Sequence, residues 1–242
     1  ISMKAFVLAE PGKVKWFDAP EPQLVPYGAI LKPVAVTPCS SDVHTVFGGG
    51  SKKQDNLVLG HECIAEVVSV GENVCDFKTG DRVAVPAITP DWREKSIQEG
   101  NDRHASAPFS GHQLGRTQPG VFSERFLIKD ADTTLAHIPQ KISEEQALMS
   151  VDVVTTGFTG AEYADIKIGD TVCVIGIGPI GLMAVAGAKL RGAARIIAVG
   201  TRPKCVQLAK YYGATDVLSY KEGDIVQQVK ELTNGIGVDA TI

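Results

Sequence analysis

No two cysteines of this chain stand as a C-x-x-C pair. The five lie at positions 39, 63, 75, 173 and 205, and an odd, scattered set excludes both a disulfide-stapled framework and a four-cysteine zinc ribbon. A reducing compartment follows, and the cytoplasm is the expected location. Positive charge is not in excess either. With 24 basic against 28 acidic side chains the net charge is −4, which leaves nothing to neutralise a phosphate backbone, so neither nucleic acid nor an anionic membrane is expected as a partner. No charged segment followed by an apolar stretch opens the chain, and Ile1-Ser2-Met3-Lys4 reads as two vector residues before an initiator Met. The longest uncharged run, residues 171–188, reaches 18 residues but holds four glycines and Pro179, which argues against a membrane helix. Internal repeats and low-complexity tracts are missing too. What is present, 242 residues with 44% hydrophobic and 21% charged side chains, is an ordinary globular composition for one large domain or two small ones.

From residue 3 to about 138 the apolar residues come in short runs (Ala5-Phe6-Val7-Leu8, Ile30-Leu31, Val67-Val68, Val83-Ala84-Val85) between Gly, Pro, Asn and Asp clusters, the rhythm of short strands and turns. Pro33 and Pro38 remove ladder donors, so the segment around Ala35-Val36 is expected to be an edge strand or to stop at Pro38, with a loop after it. Residues 90–120 are rich in charge, Gly, Ser and Pro without periodicity and read as a loop lobe. At Ser143-Glu144-Glu145-Gln146 a capping-box pattern opens helical texture. From residue 170 the pattern alternates: strand 171–175, glycine turn, helix about 180–191, strand 195–199, helix about 204–212, strand 216–218, helix about 224–232, and the start of a fourth strand at 238–242. That alternation predicts a doubly wound parallel sheet. A sheet ending on its fourth strand predicts an N-terminal portion of a longer chain. The expected domains are 1–150 and 151–242.

Gly176-Ile177-Gly178-Pro179-Ile180-Gly181 follows a Val/Ile strand and opens an apolar helix, the context that a dinucleotide fingerprint requires. Its first glycine permits the tight turn, the second lets the backbone approach a pyrophosphate, and the third lets helix pack on strand. The alternative is a tight turn in some other doubly wound protein. At the end of the second strand, where an acidic residue would select NAD, Gly200-Thr201-Arg202 stands instead. Gly200 leaves room for a 2′-phosphate, Thr201 offers a hydroxyl, and the Arg202 guanidinium suits a phosphate, which favours NADP(H). An ordinary exposed strand-end arginine is the other reading. Tyr220, closing the third strand, either flanks that phosphate or packs.

In the strand-rich half, Cys39-Ser40-Ser41-Asp42-Val43-His44 and Gly60-His61-Glu62 gather thiol, imidazole and carboxylate at turns. All three are good zinc ligands, and a catalytic site needs three of them plus an open position. Taken singly, a buried small cysteine and a structural histidine are the ordinary readings.

These segments, with Pro90-Asp91-Trp92, Asp152-Val153-Val154-Thr155-Thr156-Gly157 and the dinucleotide turn, resemble over the whole chain the zinc-dependent medium-chain alcohol dehydrogenases, most closely their tetrameric NADP-dependent secondary-alcohol branch. The resemblance implies an α/β protein with a β-rich domain: a GroES-like catalytic domain, then an incomplete Rossmann doubly wound parallel sheet. It implies one catalytic zinc per chain held by Cys39, His61 and Asp152, with Glu62 as an adjustable fourth ligand or neighbouring carboxylate. NADP(H) is the implied redox partner, a secondary alcohol or ketone (or aldehyde) the substrate, and a homotetramer the state of the complete protein. Ser41 looks like the first hydroxyl of a proton relay and His44 its solvent-facing member, against the alternative of a polar turn capping the next helix. Thr156 resembles a contact to the nicotinamide face.

Three departures stand out. Residues 90–120 contain no cysteine, so no structural zinc of the four-cysteine kind is expected, and the family's glycine four residues after the ligand His is here Ala65, which suggests a slightly altered strand approach. His112 falls where close relatives have a bulky aromatic lining the substrate pocket. Pocket residue and idle loop histidine are both open readings for it, whereas His104 reads as an idle loop residue. A zinc-free NADPH quinone or enone reductase shares the two domains but needs no ligand set. An inactive nucleotide-binding fragment is the remaining alternative.

Overall fold

The structure, a computed structural model, describes residues 2–48, 56–100 and 111–242. His104 and the middle of the 90–120 lobe lie outside the described residues. Contacts divide the chain into two compact units, Ile1–Asp152 and Val153–Ile242.

The first unit is built of short antiparallel strands. β1 (Ser2–Glu10) pairs with β2 (Lys13–Pro20) on one side and with β4 (Leu57–Val58) on the other. The second sheet contains β3 (Ala29–Thr37), β5 (Glu62–Val70), β6 (Arg82–Val85), β7 (Phe126–Ile128) and β8 (Ala136–His137), in the spatial order β7-β3-β5-β6-β8. Leu31, Cys63, Ala65, Val67, Val83, Val85, Phe126 and Ile128 form its apolar core, each large side chain contributing roughly 1.5–3 kcal/mol by leaving water.

The edge-strand expectation around Ala35 is met among the described residues. Residues 29–31 of β3 lie between β5 and β7, and only the stretch beyond them is paired on one side, to β5. Pro33 sits at the register shift between Pro33 and Ala35, the kind of bulge where a missing donor costs least. Ala65 is the partner of Pro33. The strand does stop at Thr37. The residues after Pro38, however, are no loop: α1 (Ser40–Val46) begins there, because the Asp42 carboxylate in its first turn accepts from the Cys39 amide at 2.9 Å and satisfies an N-terminal donor that would otherwise be free. Two single-turn helices, α2 (Lys95–Gln98) and α3 (Ala131–Thr134), lie further along. The capping box is found where expected, with Gln146 N–H donating to Ser143 Oγ and Ser143 N–H to Gln146 Oε1, at the start of α4 (Glu144–Met149). One turn of π-helix, Ser150–Val154, follows it.

In the second unit α5 (Thr155–Tyr163) precedes a parallel sheet of β9 (Thr171–Ile175), β10 (Arg195–Val199), β11 (Asp216–Leu218) and β12 (Ala240–Thr241), in the order β11-β10-β9-β12. The crossovers are α6 (Pro179–Leu190), α7 (Pro203–Tyr212) and α8 (Ile225–Leu232). Both α6 and α7 begin on proline, whose missing N–H is harmless at a first helical position, while Asp224 caps α8 by accepting from Gln227 N–H at 2.8 Å. Ala161, Leu182, Val185 and Ala209 cover one face of the sheet and Val229 of α8 the other, so the winding is double. The fourth strand, expected over 238–242, is reduced to two residues. Among the described residues no helix is long and apolar enough to cross a membrane.

Candidate functional site

The register of the second sheet in the first unit brings together what the sequence keeps apart. Thr37 at the end of β3 pairs with Glu62 at the start of β5, so Cys39, two residues beyond the pair, lies beside His61 and Glu62. Asp152 arrives from the π-helical turn, a local irregularity often found at functional sites. One ligating atom from each of Cys39, His61, Glu62 and Asp152 lies within 4.8 Å of the others. His61 and Glu62 are buried, Cys39 and Asp152 partly so. His61 Nε2 is 3.8 Å from Glu62 Oε1 and 3.8 Å from Asp152 Oδ2, so this nitrogen faces the cluster.

The other ring nitrogen faces Asp42, which the sequence offered without a role. Its carboxylate is buried at 7% exposure and takes three donors: Cys39 N on Oδ2 at 2.9 Å, with Gly60 N at 3.2 Å and His61 Nδ1 at 3.3 Å on Oδ1. The only signal in the sequence is an acid three residues after Cys39, where the prolines predict a loop. Burial opposes ionisation of Asp42, but the bonds from His61 and Cys39 leave its pKa below the ordinary value. Burial also opposes the charged form of His61, yet Asp42 and Cys39 outweigh it and hold the ring's pKa up at about 10. Burial and then repulsion from Asp152 push the Glu62 carboxyl up, and its Oε2 is buried with no hydrogen-bond partner among the described residues. Crowded acids, an orphaned carboxylate oxygen and a thiol-imidazole-carboxylate donor set are what a bound zinc ion would relieve, and the set suits zinc.

Ser41 Oγ lies 3.3 Å from His61 Nε2, which places its hydroxyl at the cluster. His44, three residues on, is exposed on α1. The ring of His112 is edge-on to that of His61, with centroids 4.5 Å apart. Burial first and the His61 charge second hold its pKa down at about 4.

In the second unit Gly176 has φ of 94°, and a Cβ on Gly181 would lie 1.8 Å from the Gly176 carbonyl oxygen, so the turn closes on α6 only with glycine at both positions. Gly178 is the residue before the helix and Pro179 and Ile180 its first two. The Arg202 guanidinium reaches back to Gly178, where a Cβ would meet its Nη2 at 3.6 Å. Thr201 Oγ1 donates to Tyr220 Oη at 3.0 Å, which makes Tyr220 a partner of the strand-end group rather than packing alone. A Cβ at Gly200 would lie 2.3 Å from Ile177 Cγ1, so this strand end has no room for a side chain. Thr156 lines a cleft of about 440 Å³ with Gly157, Gly176, Gly178, Pro179, Ile180 and Gly181.

Both units of the chain match known families. The family described as "Alcohol dehydrogenase GroES-like domain" matches residues 26–140, and "Zinc-binding dehydrogenase" matches 179–242. The NADP-dependent isopropanol dehydrogenases of Thermoanaerobacter brockii and Clostridium beijerinckii are 55% and 52% identical to this chain, in each case over 99% of it and 68% of the relative. A zinc-dependent alcohol dehydrogenase 2 from Streptococcus pneumonia, in its apo form, superposes with a TM-score of 0.88 at 29% identity, covering 99% of this chain and 68% of that one.

Proposed function

Because the chain belongs to the zinc-dependent medium-chain alcohol dehydrogenase family, we propose that it interconverts secondary alcohols, isopropanol-like ones included, and their ketones by hydride transfer to and from NADP(H). Cys39, His61 and Asp152 would hold the zinc, with Glu62 as the adjustable carboxylate. When bound, zinc supplies Lewis-acid polarisation of the alcohol or carbonyl oxygen.

The remaining work falls to the chain's own side chains. Asp42 holds His61 by its Nδ1–H, so that Nε2 is presented to the metal position. In oxidation the Ser41 hydroxyl accepts the alcohol proton as it passes its own on toward His44, and bound NADP would supply the acceptor for the hydride. His44, exposed on α1, exchanges that proton with water. The amides at the start of α6, behind Gly176, Gly178 and Gly181, receive the cofactor pyrophosphate. Arg202, Thr201 and Tyr220 would hold the 2′-phosphate, and Thr156 would contact the nicotinamide. In reduction every transfer runs backwards. We also infer a cytoplasmic homotetramer as the state of the complete enzyme, which is in keeping with five free cysteines.

The single observation that carries this reading is the fourfold ligand cluster, for which a zinc-free reductase has no use. Elemental analysis of the purified protein is expected to find one zinc per chain and Cys39→Ser to remove both metal and alcohol oxidation. Activity that persists in metal-free Cys39→Ser protein would refute it.

A further inference from the structure

His112 has a feature that the chemistry above leaves unused. Its Nε2 is buried without a hydrogen-bond partner among the described residues, although its ring packs edge-on against His61 at 4.5 Å with an interplanar angle of 67°. A buried polar atom left unpaired costs about 1–3 kcal/mol, and native structures rarely keep one without a reason. Here the orphan belongs to a ring packed on His61, a member of the ligand cluster.

We propose that His112 Nε2 hydrogen-bonds a second oxygen of the substrate, so that the protein favours vicinal diols and α-hydroxy ketones over alkyl alcohols and ketones of the same carbon skeleton. This rests on the alcohol dehydrogenase reading. A substrate whose first oxygen lies at the ligand cluster beside His61 carries its second on the adjoining carbon, a short step matching the single ring contact between His61 and His112. A hydroxyl satisfies either tautomer of a neutral imidazole, since it both donates and accepts. A substrate with a methyl in that place leaves the buried Nε2 unpaired, and unpaired polar groups are what make such sites discriminate.

The test uses the zinc-loaded full-length enzyme with butane-2,3-diol and 2-butanol, each followed by NADPH formation. The wild-type kcat/KM ratio should favour the diol by about ten-fold, the size of one neutral hydrogen bond. His112→Phe should bring that ratio to about one, and His112→Gln, which keeps a donor and an acceptor, should retain most of it. A second readout needs no turnover: the His112 imidazole ¹⁵N resonances should shift on adding the diol and not on adding 2-butanol. A wild-type ratio of one or below, or a ratio that His112→Phe leaves unchanged, overturns the proposal while leaving the dehydrogenase reading intact. Oxidation of neither alcohol overturns both. Should His112→Phe fail to fold, the wild-type ratio and the resonance shift decide.

Discussion

Replacing Asp42 by asparagine tests how the metal site is held. The carboxylate serves three N–H donors, Cys39 N through one oxygen and Gly60 N with His61 Nδ1 through the other. An asparagine has a single acceptor oxygen, so its amide NH₂ must face either the Cys39 amide or the other two donors. The less costly choice gives up the Cys39 bond, leaving a donor unpaired beside a proposed ligand at about 1–3 kcal/mol. The negative charge beside His61 is lost as well. Removing the partner that orients a metal-bound histidine typically lowers metal affinity ~10–100-fold, and that is the expected loss. Its pH dependence can be derived. In the metal-free protein His61 is held up at about 10, so its ring is protonated at neutral pH and zinc must displace that proton. Affinity therefore weakens as pH falls. Asp42→Asn makes the ring less basic and eases that competition, so the wild-type advantage should be widest near about pH 9 and shrink toward about pH 6. Competition against a chromophoric chelator at several pH values measures this. Equal affinities throughout, or a gap that widens in acid, would refute the reasoning.

Three further outcomes are expected. Gly181→Ala puts a methyl 1.8 Å from the Gly176 carbonyl oxygen; it should destabilise the second unit by at least the ~1–3 kcal/mol typical of overpacking and abolish NADP binding, and an unchanged denaturation midpoint with normal binding would contradict the turn geometry. Arg202→Ala should raise KM for NADP far more than for NAD, since a charge-assisted bond is worth ~1.5–3 kcal/mol; equal effects on both cofactors would reject the phosphate contact. Ser41→Ala should keep zinc content and lose ~100- to 10000-fold in kcat, with partial recovery at high pH, while the exposed His44→Ala loses less; wild-type kcat for Ser41→Ala across the pH range would return Ser41 to a capping role.

The second unit was legible in the sequence because its determinants are local. Strands β9, β10 and β11 end where the Val/Ile runs end, the glycine turn lies where the apolar run is interrupted, and the Ser143 capping box needs only residues three apart. Resemblance named the ligands, but nothing local to any of them says that they meet. Cys39 reaches His61 and Glu62 because the register pairs Thr37 with Glu62, and Asp152 joins them through a π-helical turn, so their meeting depends on pairing between distant segments. The same holds for what was misread or missed. Prolines around β3 suggested a loop after Pro38, whereas Asp42 starts a helix there and, once buried, also orients His61. The sequence leaves His112 open between pocket residue and idle loop histidine, and only packing sets it against His61. Residue type and short-range period determined the elements and the chemistry on offer. Strand register and burial, which depend on segments far apart in the chain, decided which of those groups share a site.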